Sequence, residues 1–471
     1  MTVAQLEPFF GSYTVHDAIE HLGFGRFQVV LSLVAGLAWM AESMEIMLLS
    51  LLTPSLVCEW GITPFQQSLG VSCVFVGWMV GSPFWGWFFD TYGRRTGLFL
   101  ATLLGCLLGI ATAASPSFPV FVAMRGLTGV AIGGVPQSTT IYTEFLPTAS
   151  RARCIILLEV FFAIGAAVEA GSAVFIMPLW GWRGLIICSS IPLGISALCC
   201  IWLPESPRFY ITHERTKEAH AVLERVAEAN GKTLLEGILV SEHFASKKKA
   251  TLWDLFSAKL RRTTILLWIV WVMNAFLFYG IILFTTKMVQ TTDVCHGGDP
   301  TANVTMTVSH GAVCRPLTND DYMDILKTSI AELPGLVLTV LIIDRLGRRK
   351  TLAVQMALYS VAILALYFCH PRSTITNLLF IARALISGSY QAAYVYTPEV
   401  FPTTLRALGI GTSSMFARIG SIASPMVAQM VADINVNYAI VVYGVGGLIG
   451  ATASIFLPIE TAGRELKDTL H

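Results

Sequence analysis

Stretches of mostly apolar residues, each long enough to cross a hydrocarbon layer about 30 Å thick, recur along this chain and dictate what it can fold into. Such a layer holds no water, so every backbone N–H and C=O must be satisfied within the segment. At a rise of about 1.5 Å per residue, a helix of about 20 residues then spans it. The stretches cover residues 27–56, 66–89, 96–114, 118–145, 153–178 and 183–203, then 263–290, 323–343, 350–369, 375–400, 405–432 and 437–457. The expected fold is an all-α membrane protein of twelve transmembrane helices in two groups of six, divided by a polar interval at 204–262. Composition agrees: 54% hydrophobic residues, 13% charged ones and a mean hydropathy of +0.66 exclude ordinary water-soluble domains. The eighth stretch is the least regular, because Asp324, Lys327 and Glu332 crowd its first turns. The first run is too long for a cleavable signal peptide and follows a polar, amphipathic start, so it is expected to be retained.

Cytoplasmic loops of membrane proteins collect Lys and Arg. Arg26, Arg94, Arg95, Arg151, Arg153, Arg345, Arg348, Arg349, Lys350, Arg406, Arg464 and Lys467 fall on one side with the basic interval 204–262, whereas the loops of the other side hold only Arg183, Arg315 and Arg372. Both termini are thus expected in the cytoplasm. The domain plan is a cytoplasmic N-terminus 1–26, a first six-helix half 27–203, a cytoplasmic linker with amphipathic helices 204–262, a second half 263–457 with an exterior loop at 291–322, and a cytoplasmic C-terminus 458–471. A net charge of +1 says nothing about partners, and Lys247 to Lys249 read as a solvated loop facing the inner leaflet rather than as a nucleic-acid patch, so no nucleic acid is expected. The lipid bilayer is the expected large-scale partner, and a monomer the expected state.

Of the ten cysteines, eight lie in or at the ends of apolar stretches, where a small polarizable side chain is ordinary. Cys295 and Cys314 instead share the exterior loop with the acceptor sequence Asn303-Val304-Thr305. An oxidising compartment favours a Cys295 to Cys314 disulfide and glycosylation of Asn303; two free thiols and an unused acceptor are the alternative.

The two groups of six are related. Asp90-Thr91-Tyr92-Gly93-Arg94-Arg95 recurs as Asp344-Arg345-Leu346-Gly347-Arg348-Arg349. Arg125-Gly126, Tyr142-Thr143-Glu144 and Arg151 recur as Arg383-Ala384, Tyr396-Thr397 with Glu399, and Arg406. Pro204-Glu205 and Pro458-Ile459-Glu460 close each half. All share one spacing of about 255 residues, the mark of an internal repeat. Two parallel six-helix halves facing each other leave a cavity near the midplane, the architecture of alternating-access transport.

GWFFDTYGRR at 86–95 and IIDRLGRR at 342–349 resemble the cytoplasmic signature of the major facilitator superfamily, and RGLTGVAIGG at 125–134 its fourth-helix motif. PESPRF at 204–209 and PIETAGRE at 458–465 are similar to the segments after helices six and twelve in sugar-porter-like and organic-ion-transporter-like members. GLAWMAESMEIMLLS at 36–50 and AELPGLVLTVLIIDRLGRRKT at 331–351 resemble vesicle-membrane members of the organic-ion-transporter-like branch, which implies a vesicle or plasma membrane location.

The basic turns suggest a gate. Arg94, Arg95, Arg348 and Arg349, with Asp90, Asp344, Arg151 and Arg406 beside them, are placed to pair with Glu144, Glu205, Glu399 and Glu460 only when the inner side is closed. Breaking these pairs would let the halves part; the alternative is that the arginines only fix orientation. Deeper in, Glu42 lies about 22 Å from the inner end of its helix and Arg125 about 10 Å from the outer end of its own, which brings them to one level. They are expected to pair, as are Glu332 and Arg383. In sugar-porter-like relatives the corresponding acid and arginine couple a proton to transport, so the resemblance implies protons as a partner. Glu45 stands one turn beyond Glu42, and two carboxylates that close disfavour joint ionisation. Glu42, Glu45 and Arg125 thus read as a proton-coupling element, with Glu169 a second candidate; Glu45 reaching the outer interface near Glu59 is the alternative for that residue.

Trp39, Phe75, Gln137, Phe161, Glu169, Asn274, Tyr279, Gln391 and Tyr394 lie at depths from which they can line a cavity, the amides and hydroxyls with most reason because they need partners away from lipid. Arg418 sits about 18 Å from the inner end of helix eleven with no matching acid in the first half. Its planar fork suits a carboxylate. Resembling members that carry anions have Arg in this stretch and cation carriers Asp, so Arg418 is expected to anchor a small organic anion, with Trp39 or Tyr394 against its ring. The expected function is secondary transport of a small organic ion. An organic cation carrier, and a non-transporting vesicle protein that keeps the fold for binding or trafficking, are the alternatives. No ATP-binding loop, metal-ligand spacing or catalytic constellation appears, so neither an enzyme nor a cofactor or metal is expected.

Overall fold

The computed structural model describes residues 11–240, 251–291, 307–309, 312–402 and 405–461. Short helix α1 (Val15–Leu22) precedes the first half: α2 (Arg26–Trp60), α3 (Pro64–Tyr92), α4 (Arg94–Ala113), α5 (Phe118–Ile132) running on through Val135–Gln137 into α6 (Ser138–Glu144), and α7 (Thr148–Trp202). The linker holds α8 (Pro207–Thr212) and α9 (Thr216–Asn230). The second half has α10 (Arg261–Thr291), α11 (Asn319–Ile330), α12 (Glu332–Leu346), α13 (Arg348–Ala365), α14 (Arg372–Val400), α15 (Arg406–Pro425), α16 (Ala432–Ile434) and α17 (Val436–Ile455). Among the described residues, nine helical runs are long and apolar enough to cross a membrane.

Local chemistry sets several boundaries. Thr63 caps α3 with Gln66 answering it and Pro64 at the first helical position, and Thr318 with Asp321 does the same for α11. The 55-residue α7 folds back on itself at Gly181, whose φ of +62° a side chain would resist. Helices approach closely where side chains are missing. A Cβ on Gly77 would stand 2.1 Å from the Gly126 carbonyl oxygen, and one on Gly335 would stand 2.2 Å from that of Ala384. The α3–α5 contact of the first half is thus repeated as α12–α14 in the second.

Strand β1 (Ser12–Tyr13) pairs in parallel with β2 (Ile238–Leu239), drawing the start of the chain onto the linker. Tyr13, Val15, Ile19, Leu223 and Leu239 form a small core there. The Glu20 carboxylate accepts hydrogen bonds from the N–H and hydroxyl of Thr148 at the start of α7, and Asn230 accepts the Phe27 N–H at 3.0 Å. Strands β3 (Thr307–Ser309) and β4 (Ala312–Cys314) pair antiparallel in the loop after α10. Cys295, Asn303 and the Cys314 side chain lie outside the described residues. Cys58 and Cys369 are each disulfide-bonded, whereas their places at the ends of apolar stretches suggested ordinary thiols.

The halves touch at the end opposite the Gly-Arg-Arg turns. There Leu48, Leu51 and Leu52 of α2 share one core with Phe278, Ile282 and Phe284 of α10, Ser72 donates to the Ile422 carbonyl at 3.0 Å, and the rings of Phe75 and Tyr279 meet at 4.8 Å. At the basic end, Trp85, Phe89, Tyr142, Phe145 and Leu203 form a separate core without residues of the second half. No hydrogen bond or ion pair among the described residues links the halves at that end.

Candidate substrate cavity and buried charge pairs

Between the halves lies a cavity of about 80 Å³. Each half contributes to its wall: Trp39 and Glu42 from α2, Trp78 from α3, and Glu159 and Phe162 from α7 face Phe278 and Tyr279 from α10, Tyr390, Gln391 and Tyr394 from α14, and Arg418 from α15. Pro136, Glu332, Leu336, Ser387 and Ser414 complete it. The expected site residues Trp39, Glu42, Tyr279, Gln391, Tyr394 and Arg418 are thus brought together.

The Arg418 guanidinium lies over the Trp78 ring, 3.6 Å from its centroid, and makes no ion pair among the described residues. Glu42 is 3% exposed, and its Oε2 has no hydrogen-bond partner among the described residues. Gln137 accepts a hydrogen bond from Thr140 at 3.2 Å and does not line the cavity. Asn274 is also absent from the lining; it is fully buried, with both amide atoms unpartnered among the described residues. Phe75 is buried against Tyr279, and Phe161 packs over Gly36.

The pairing expected for Glu42 is corrected. Arg125 stands 2.9 Å from Glu45, both completely enclosed, and Glu42 turns to the cavity instead. Three residues turn a side chain by about 60° around the helix axis, enough to exchange the two acids. Glu169 receives a hydrogen bond from Ser189 at 2.6 Å and lies away from the cavity, its second oxygen unpartnered among the described residues. In the second half Arg383 meets Glu332 at 2.7 Å, and Met47 of α2 places its sulfur 3.7 Å from the same guanidinium.

The gate is corrected as well, since each of its contacts among the described residues lies within one half and none joins the two. Arg94 meets Asp90 at 2.5 Å and Glu144 at 3.5 Å; Arg348 meets Asp344 at 2.8 Å and Glu399 at 3.1 Å. Glu205 accepts the backbone N–H groups of Arg94 and Arg95, and Glu460 those of Arg348 and Arg349. A carboxylate on the first N–H groups of a helix completes its open hydrogen bonds and complements its dipole. Gly93 and Gly347, at φ +110° and +85°, leave room for those carboxylates, which a Cβ would strike. Arg95 and Arg349 reach the carbonyls of Ile201 and Ile455, and Arg151 that of Leu146. Neither Arg151 nor Arg406 meets an acid among the described residues.

Sequence reasoning missed Glu159, Trp78, Phe162, Phe278 and Tyr390. Glu159 carried the signal that singled out Glu169, an acid within the apolar run 153–178, and it stands one turn from Phe162.

Residues 32–314 match the family model described as Sugar (and other) transporter, and residues 327–470 that of the Major Facilitator Superfamily. The chain is 47% identical to the Synaptic vesicle 2-related protein of Bos taurus across 98% of this chain and 84% of that one. It is 33% identical to Organic cation/carnitine transporter 7 of Arabidopsis thaliana across 97% and 96%. Its fold matches that of the xylose transporter XylE from E. coli in a partially occluded inward open conformation, with TM-score 0.69, 15% identity and coverage of 92% and 100%. A D-xylose-proton symporter matches with TM-score 0.70, 16% identity and coverage of 93% and 99%. At that identity the likeness speaks for the fold alone. The protein is a multi-pass membrane protein, and it belongs to the major facilitator superfamily.

Proposed function

We propose that this chain is a secondary transporter that carries a small organic ion by alternating access, with Arg418 receiving a carboxylate of the substrate. The observation that carries the reading is the position of Arg418: a guanidinium with no carboxylate paired to it among the described residues, held over Trp78, in a cavity walled by both halves. A planar fork in such surroundings suits a carboxylate, at about 1.5 to 3 kcal/mol for a hydrogen bond to a charged group.

In this reading the helices cross twelve times, both termini and the Gly-Arg-Arg turns face the cytoplasm, and the conformation is inward-facing. Contacts confined to the opposite end support that, as does the matched xylose transporter described as inward open. The name of the Bos taurus relative supports a vesicle membrane as the location. Glu42, directed into the cavity, is the proton-carrying group, and the Glu45–Arg125 and Glu332–Arg383 pairs are structural charges of each half. The protein acts as a monomer without cofactor or catalysis.

Purified protein in proteoliposomes, offered organic anions and cations with and without a pH gradient, tests this. Saturable uptake of a carboxylate that Arg418→Ala abolishes is expected. Uptake of cations alone, or anion binding by Arg418→Ala as tight as wild type, would refute the anchor.

A further inference from the structure

The charge balance of the cavity leads one step beyond this reading, on which it rests. Four charged side chains line the wall: Arg418, Glu42, Glu159 and Glu332. Glu332 is matched by Arg383 at 2.7 Å. Glu42 and Glu159 remain, facing a single guanidinium, and neither forms an ion pair among the described residues. An acid enclosed at mid-membrane without a cation is costly, so its presence points to something that arrives to meet it.

The surroundings of Glu159 say what that is. One turn along α7, Phe162 meets Phe278 at 6.1 Å. Phe278 stacks on Tyr390 at 5.6 Å with the planes 4° apart, and Tyr390 meets Tyr394 edge-on at 5.4 Å. All four rings reach the cavity wall, and Gln391 stands on the same stretch of α14. A carboxylate among aromatic faces is the arrangement that attracts an ammonium group, since ring quadrupoles and the acid act in the same sense. The opposite pole is Arg418 on Trp78, with Tyr279 beside it.

We propose that Glu159 is the cation-binding pole of the cavity, and that the preferred substrate carries two charges: an ammonium or quaternary nitrogen at Glu159 and a carboxylate at Arg418. Glu42 remains free to carry the proton, so substrate and proton use different acids. An organic anion without a nitrogen cation fills only half of the site.

Three probes of one shape separate the terms: 4-(aminomethyl)benzoate with both charges, 4-methylbenzoate with the anion alone and 4-methylbenzylamine with the cation alone. Binding to purified full-length protein is followed by ligand-induced thermal shift, and entry by uptake into proteoliposomes. Wild type is expected to bind 4-(aminomethyl)benzoate about tenfold or more tightly than either single-charge probe. Glu159→Gln is expected to erase its advantage over 4-methylbenzoate while keeping affinity for the latter, and Arg418→Gln to erase its advantage over 4-methylbenzylamine. A Glu159→Gln protein that keeps the wild-type ratio, or a wild type that prefers 4-methylbenzoate, overturns the assignment of Glu159 and leaves anion transport standing. If the folded protein binds and takes up none of the three, the organic-ion reading itself falls, and this assignment with it.

Discussion

Arg418 and Arg125 show two uses of a buried guanidinium in one chain. Arg418 has an aromatic face behind it and open space in front, so its fork is available to a ligand. Replacing it with lysine keeps the charge but loses the planar fork and its stacking, and binding of a carboxylate probe is expected to weaken about tenfold or more by titration. Arg125 is closed in with Glu45 at 2.9 Å. Arg125→Met strands a buried carboxylate and is expected to cost about 3 to 5 kcal/mol, seen as a large fall in thermal midpoint, whereas adding Glu45→Leu recovers much of the loss. Equal midpoints for the single and double variants would show that the stranded Glu45 carboxylate is not what destabilises Arg125→Met. The presence of these charges is legible in the sequence, because ionisable residues within apolar runs stand out. Their azimuth is not, which is why Glu42 and Glu45 exchanged roles and why Glu159, on the wall beside Phe162, was passed over.

At the scale of elements, what reads most easily is what hydrophobicity and turn chemistry dictate: apolar runs, capping boxes and the repeated Gly-Arg-Arg turns. Which partner a turn finds depends on tertiary placement, and the acids meant to join the halves instead close the first turns of α4 and α13 within each half. The tie between α1 and α7 was also invisible from sequence, since Glu20 and Thr148 are far apart along the chain. Hydrogen bonds from the Thr148 hydroxyl and N–H hold the Glu20 carboxyl below its ordinary range. A depressed value means that the tie is present above the ordinary carboxylate range and lost as pH falls below that range, through the lowered folded-state value. Hydrogen exchange across Val15–Leu22 is expected to accelerate over that interval, and Glu20→Gln to exchange faster already at neutral pH. An unchanged rate in both would show that α1 is held by its apolar face alone.

For the whole molecule, the internal repeat makes two halves and an intervening cavity legible in the sequence. The state of that cavity was not legible, because the same contacts must form and break during a cycle. In the inward-facing reading, far-end contacts such as Ser72 to Ile422 and Met47 to Arg383 must separate for the opposite face to open. If Glu42 carries the proton, Glu42→Gln is expected to abolish uptake driven by a pH gradient while sparing exchange of substrate across the membrane, since exchange requires no net proton release. Driven uptake surviving in that variant would end the coupling role.

The central claim is that this chain moves a small organic ion through the cavity that Arg418 faces. Uptake of labelled 4-(aminomethyl)benzoate and 4-methylbenzoate by proteoliposomes of wild type, Arg418→Ala and no protein tests it most directly. The account predicts saturable wild-type uptake, competed by unlabelled probe and reduced in Arg418→Ala to the level of empty liposomes. Wild-type uptake no greater than that of empty liposomes, or undiminished uptake by Arg418→Ala, would contradict it.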